Sequence, residues 1–408
     1  MAKNEASAES GPSAVRSITL HGLVLESAYY FAYCAYLAFI IADLIQHGWS
    51  QSAAAGAMTI MSMITVLVHP LLGYLSDSIF SEKRLIITFL ILTVIPIALL
   101  PTLLKSGSHP LILLDMVIIT VTASQVGGLL DAWLVSLRRA MPDINYGIIR
   151  GFGSLAYALS AQLLGMITMR FGTGARFLIS AGFFGLAALA ALTLRSSGPR
   201  PSRAERKADT SRLSGRQALR ILLSSRRYIL LLTFSFFILL SASALGTLQS
   251  ICILEFGGTS ANVGTASAIS AATEVPFLFV MAAIIRRTGE KKLLILCALT
   301  YSIRLLATAM LTSVSGLLWI QLSQGVTFGI FLPVTMSYLV KIADERVSST
   351  AVTIFNTVTY SITAILGNLI SSLLLGAGLS AHQALLYIAF PALIGLGTAV
   401  YGSVRRIW

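Results

Sequence analysis

Apolar positions run through this chain in long unbroken stretches. They show neither the alternation of a half-buried strand nor the single stripe of a surface helix. Twelve stretches have about the 20 residues a helix needs to cross a bilayer: 18–46, 52–76, 84–104, 110–136, 146–169, 176–195, 228–254, 261–285, 292–312, 316–340, 348–375 and 381–403. A polar, Arg-rich segment, 196–227, divides them six and six. The pattern predicts an all-α polytopic membrane protein. Its domains are an N-terminal six-helix bundle over 18–195, a basic linker over 196–227, a C-terminal six-helix bundle over 228–403, and tails at 1–17 and 404–408. The first apolar run is too long for the core of a cleavable signal peptide.

Composition agrees. Charged residues make up 11% of the chain, against about 25% in an ordinary soluble domain, and mean hydropathy is +0.84. The net charge of +13 raises the question of nucleic acid, and its placement answers it. With the N-terminus in the cytoplasm, 24 of the 29 Lys and Arg fall in cytoplasmic loops and tails, ten of them from Arg195 to Arg227. Lys105, Arg170 and Arg176 fall on the other side, and Arg150 and Arg304 inside the membrane. That asymmetry is the positive-inside signature. It predicts a multi-pass protein of the cell (inner or plasma) membrane with both termini cytoplasmic and no nucleic-acid partner. The stretch from Arg216, RQALRILLSSRRY, is amphipathic and suits either the membrane interface or a solvated basic linker. Cys34, Cys252 and Cys297 lie in apolar runs without metal-ligand spacing and read as packing residues.

Charges inside apolar runs carry the functional signal, because burying them is costly. Asp131 in the fourth span and Arg150 in the fifth stand ten and nine residues either side of Met141. At about 1.5 Å per helical residue they sit at nearly equal depth, roughly 15 Å from the turn. Glu274 and Arg304 repeat the arrangement, each 15 residues from Gly289 and roughly 22 Å deep. Glu26, Asp43 and Asp115 fall nearer predicted span ends, where interfacial solvation accounts for them. Asn356 and Asn368 suit either a cross-helix hydrogen bond or a cavity.

After the second span comes Gly73-Tyr-Leu-Ser-Asp77, then Ser81-Glu82-Lys83-Arg84, with a weaker copy, AAIIRRTGEKK, at 282–292. This loop resembles the signature of the major facilitator superfamily. Gly73 permits close helix contact, Asp77 suits a helix N-terminus and the cations suit the cytoplasmic face. Gly73, Asp77 and Arg84 are thus candidates for conformational gating. Two six-helix halves, each with this loop, fit the parallel repeats of that fold.

Within the superfamily, Asp131-Ala132-Trp133 and Gly147-Ile-Ile-Arg150-Gly-Phe152-Gly153-Ser-Leu-Ala-Tyr157 resemble the lactose permease-like branch of proton symporters, with its oligosaccharide, nucleoside and phenylpropionate permease relatives. The resemblance implies that Asp131 and Arg150 contact solute hydroxyls and that Tyr157 stacks on a ring, with Trp133 as the aromatic beside the acid. It also implies a part for Glu274 and Arg304 in the substrate and proton-coupling machinery. If the chain is proton-coupled, the residues themselves point to Glu274 as carrier and Arg304 as the charge that displaces its proton. One departure is clear. The tenth span has Gln321, Gln324 and Thr327 but no charge, where lactose permease has a Lys, a His and a second acid.

The leading reading is a solute:proton symporter that imports a small polar organic solute by alternating access. Sugar or oligosaccharide leads; nucleoside or aromatic acid follows. A proton-driven exporter of a drug-like or metabolite compound is the alternative, though the fifth span lacks the Gly-Pro motif usual in drug–proton antiporters. A membrane scaffold would not need four buried charges. No nucleotide-binding loop, cofactor motif, metal-ligand set or catalytic constellation occurs. The expected partners are a small solute, protons and the lipid bilayer, around a monomer.

Overall fold

The computed structural model describes residues 12–78, 80–140, 144, 146–193, 215–405 and 407–408, and every element among them is helical. In chain order these are α1 (Pro12–Leu37), α2 (Ile40–Gln46), α3 (Gln51–Ser78), α4 (Glu82–Ser106), α5 (His109–Ala140), α6 (Tyr146–Thr193), α7 (Gly215–Ser224), α8 (Arg226–Glu255), α9 (Ser260–Thr288), α10 (Glu290–Met310) and α11 (Val314–Trp319). There follow α12 (Gln324–Ile342), α13 (Ser348–Asn356), α14 (Thr363–Gly376) and α15 (Ala381–Val404). A 3-10 turn, Ile320–Ser323, joins α11 to α12, and a π segment, Thr357–Ile362, joins α13 to α14.

The sequence explains where these helices start and bend. Ser81, Ser225 and Ser380 cap α4, α8 and α15 with side-chain oxygens that accept backbone N–H groups, which supplies donors that a helix start leaves unpaired. α6 is 48 residues long, about 72 Å at 1.5 Å per residue, or twice a hydrocarbon core. Gly172, at φ 82° and ψ 170°, breaks it into two spans, a conformation that glycine adopts without a Cβ penalty. In α9, Ser260–Phe277 and Phe279–Thr288 meet at 51° beside Pro276, whose ring removes a backbone donor and crowds the preceding turn. Counting α6 as two spans, α1 with α2 as one, α11 with α12 as one, and α13 with α14 as one accounts for all twelve predicted spans. Large apolar side chains such as Ile95, Leu178 and Leu189 point outward along these helices, as lipid-facing surfaces require.

By their contacts the described residues form two compact units. One holds those of Met1–Asp43 and Ile64–Arg200; the other holds Leu44–Met63 with those of Pro201–Trp408. In the first, α1 packs along α6, and α4 lies against α5 and α6. In the second, α8 and α10 pack on α15, and α9 on α12. The second unit also holds the first half of α3. Ser52 Oγ donates to the Ser372 carbonyl at 2.8 Å, Ser372 Oγ returns a bond to the Ser52 carbonyl at 2.9 Å, and Asn368 Nδ2 donates to Ser62 Oγ at 3.1 Å. Asn368, open in the sequence reading, thus makes a cross-helix bond. The amphipathic stretch from Arg216 forms α7, with Ala218 and Leu222 buried and Leu219 and Leu223 exposed.

Candidate functional site

In the first unit the two charges matched by depth meet. Arg150 Nε lies 3.4 Å from Asp131 Oδ1, with about a third of each side chain exposed (33% and 39%). The Arg150 guanidinium carbon lies 4.4 Å over the Tyr30 ring of α1, and Nη1 is 3.5 Å from Ser154 Oγ. Position explains this convergence. Arg150 and Ser154 are four residues apart on α6 and share a face, and α1 packs along that helix. An ion pair this exposed contributes about 0.2–1 kcal/mol, too little to serve as a lock between helices. Its fork of N–H donors and its carboxylate acceptor remain accessible, an arrangement suited to hydroxyl-bearing solutes.

Tyr157 is half-buried one turn beyond Ser154, whereas Trp133 is 1% exposed and packs in the interior in this conformation. Gly73 lies in the closing turns of α3, and the side chain of Asp77 is outside the described residues. Arg84 is exposed, and its backbone N–H donates to the Ser81 cap at 3.2 Å.

A second cluster lies in the second unit. Gln324 Nε2 donates to Glu274 Oε1 at 2.6 Å, and Gln324 Oε1 accepts from Arg304. Arg304, 4% exposed, also donates to Thr327 Oγ1 at 3.0 Å and to Gln321 Oε1 at 2.9 Å. Ser270 Oγ completes the set on Gln321 Oε1 at 3.0 Å. Glu274 and Arg304 are therefore linked through an amide. The 3-10 turn at Ile320–Ser323 helps place Gln321 and Gln324 side by side on Arg304. The uncharged tenth span thus supplies the neutral acceptors that hold the second cation. The sequence showed these glutamines but gave them no role.

Three acids read as interfacial are instead buried: Glu26 at 2% exposure, Asp43 at 0% and Asp115 at 6%. Asp43 pairs with Arg176, itself fully buried, though the sequence counts it on the non-cytoplasmic side, at the very start of the sixth span. Arg176 Nη1 also donates to Thr168 Oγ1 at 3.0 Å, and its guanidinium carbon sits 4.5 Å from the Phe39 ring and 4.7 Å from that of Phe177. Enclosed on all sides, this pair ties the start of the sixth span to the middle of α2. Position along a span tells depth; it does not tell which face turns inward, and that is why these groups were misread.

The chain's likeness to known proteins fits this architecture. Residues 23–386 match the MFS_1 like family. The maltose permease of Geobacillus stearothermophilus is 29% identical over 332 residues, covering 81% of this chain and 80% of that protein. The uncharacterized transporter YwbF of Bacillus subtilis (strain 168) is 25% identical over 313 residues, 75% of this chain and 73% of the relative. Among solved structures, nucleoside transporter NupG superposes with a TM-score of 0.74 at 16% identity, over 94% of this chain and 98% of NupG. A POT family transporter gives 0.71 at 13% identity, over 95% and 96%. At such identities the superpositions establish the fold.

Proposed function

The chain belongs to the MFS_1 like family of membrane transporters, and from that premise we propose that it is a solute:proton symporter importing a small polar organic solute by alternating access. Asp131 and Arg150 bind the solute, with Tyr157 and Trp133 as candidate aromatic contacts. Glu274 and Arg304 serve proton coupling, and Gly73, Asp77 and Arg84 serve gating. The protein works as a monomer in the cell membrane with both termini in the cytoplasm.

The observation that carries this reading is the Asp131–Arg150 pair: two opposite charges in an apolar unit, in contact, yet each about one-third exposed. The solute class follows from chemistry. A guanidinium fork and a carboxylate together recognise vicinal hydroxyl groups, and the nearby Tyr30 and Tyr157 rings offer faces for apolar C–H groups. A disaccharide leads, supported by the likeness to maltose permease. A nucleoside comes next, carrying the same hydroxyls on its ribose, and the fold shared with NupG favours testing it.

Coupling needs a group whose charge changes during the cycle. Glu274, joined to Arg304 through Gln324, is placed for that: rotation of the amide would bring acid and cation together or apart. The test is external pH in de-energised cells expressing the protein. Adding maltose or uridine should produce solute-linked alkalinisation as protons enter. Acidification would favour the antiport alternative.

A further inference from the structure

The symport reading leaves two buried acids unused, Glu26 and Asp115, and Glu26 is the one beside the solute cluster. Neither carboxylate oxygen of Glu26, on α1, meets a hydrogen-bond donor among the described residues. The group is close to the solute cluster. A Cβ built on Gly153 would stand 3.0 Å from Glu26 Oε2 and 2.8 Å from the Tyr30 ring. The missing side chain thus lets the carboxyl press against α6 one turn beyond Arg150. The charges of both Arg150 and Asp131 act on it. Of the helices packed on this part of α1, α5 brings Asp131 and α6 brings Arg150. α1 itself adds the phenols of Tyr29 and Tyr30.

Charge balance then decides the state. One guanidinium faces two carboxyls. Asp131 holds the ion pair and is the more exposed of the two acids. A second carboxylate, buried without a hydrogen bond, is far costlier than its neutral acid, and two nearby acids resist ionising together. The cluster is neutral with a single proton, and that proton belongs on Glu26.

Resting on the symport reading, we propose that Glu26 carries a coupling proton at the solute site and, on losing it, competes with Asp131 for Arg150. When water reaches the cluster, the Glu26 O–H passes its proton to that water, and the carboxylate left behind pairs with Arg150. Asp131 loses its partner, and the donors that hold solute hydroxyls are withdrawn. Solute therefore binds with Glu26 protonated and leaves after it ionises. One linked proton limits the effect to about tenfold in affinity per pH unit.

Infrared difference spectra of the full-length protein in lipid vesicles test this without any solute. At about pH 7, wild type should show a carboxylic-acid carbonyl band that Glu26→Gln lacks. Asp131→Asn should weaken the same band, because Glu26 then becomes the counterion of Arg150 and ionises. Superimposable spectra for wild type and Glu26→Gln would overturn the proposal, as would an unchanged band in Asp131→Asn should the first variant fail to fold. With radiolabelled maltose as probe, wild-type affinity should fall up to about tenfold per pH unit as the band titrates. Glu26→Gln should keep its low-pH affinity throughout, and Glu26→Asp should restore the pH dependence. Wild-type pH dependence in Glu26→Gln would again refute it. A wild type that moves neither maltose nor uridine with protons defeats the symport reading instead, and the two infrared comparisons still decide where the proton sits.

Discussion

Asp43→Asn isolates the enclosed ion pair of the first unit. Both partners are fully buried, and Arg176 is held by Asp43, Thr168 and the faces of Phe39 and Phe177. Neutralising the acid leaves a guanidinium without a counter-charge, facing an amide oxygen, one hydroxyl acceptor and two rings, in surroundings that water does not reach. Removing one partner of such a pair destabilises by about 3–5 kcal/mol. At about 2–4 °C per kcal/mol for a domain of this size, melting should fall by roughly 10 °C. Arg176→Met should lose a similar amount by stranding Asp43. Combining Asp43→Leu with Arg176→Met removes both charges, and that double variant should be more stable than either Asp43→Asn or Arg176→Met, since a buried pair replaced by apolar groups is often neutral or better. The chain provides its own reporter. Cys34, Cys252 and Cys297 are free and buried, so a thiol-reactive fluorophore gains signal as the protein unfolds. Single variants melting within about 2 °C of wild type, or a double variant whose loss is the sum of the singles, would refute the claim that this pair is a structural clamp.

Other consequences are narrower. Arg150→Lys should lose solute binding by at least about tenfold with melting unchanged, as measured by equilibrium binding; an ammonium lacks the planar paired donors, and the ion pair it replaces adds little stability. Glu274→Gln should retain solute exchange in vesicles while losing uphill accumulation, and Gln324→Ala, which cuts the link between Glu274 and Arg304, should show the same split in milder form. In the loop after α12, hydrogen bonds and charge from Arg346 hold the exposed Asp344 carboxyl at about 2. A depressed acid contributes its stabilisation above its unfolded value near 3.9 and loses it as pH falls toward 2. Asp344→Asn should therefore leave the transport pH profile unchanged between about pH 5 and about pH 8, and a displaced profile would mean the loop takes part in coupling.

Much of this was legible from residue order, and the reason is physical. A bilayer imposes one length on every span, so apolar runs reveal the helices, and the turns between them give each buried charge a depth. Asp131 and Arg150 could be paired by that ruler alone. Glu26 could not, because depth carries no azimuth. In helices apolar on nearly every side, the sequence holds little trace of which face turns inward, so Glu26 and Tyr30, one turn apart and turned toward α6, were not separable from lipid-facing neighbours. Arg176 was misplaced for a related reason: α6 resumes after the break at Gly172 and before Arg176, and the side chain turns into the interior. The amide bridge at Gln324 depends on the bend near Pro276 and the 3-10 turn at Ile320–Ser323. Proline and polar residues advertise such features, but they do not fix the geometry.

The central claim is that the accessible pair on α5 and α6 holds the solute. Equilibrium binding of radiolabelled maltose and uridine to purified wild type, Asp131→Asn and Arg150→Ala tests it most directly. At least one solute should bind wild type, with affinity falling by about a hundredfold or more in either variant as the paired hydrogen bonds are lost. Wild-type affinity in Arg150→Ala would contradict the account.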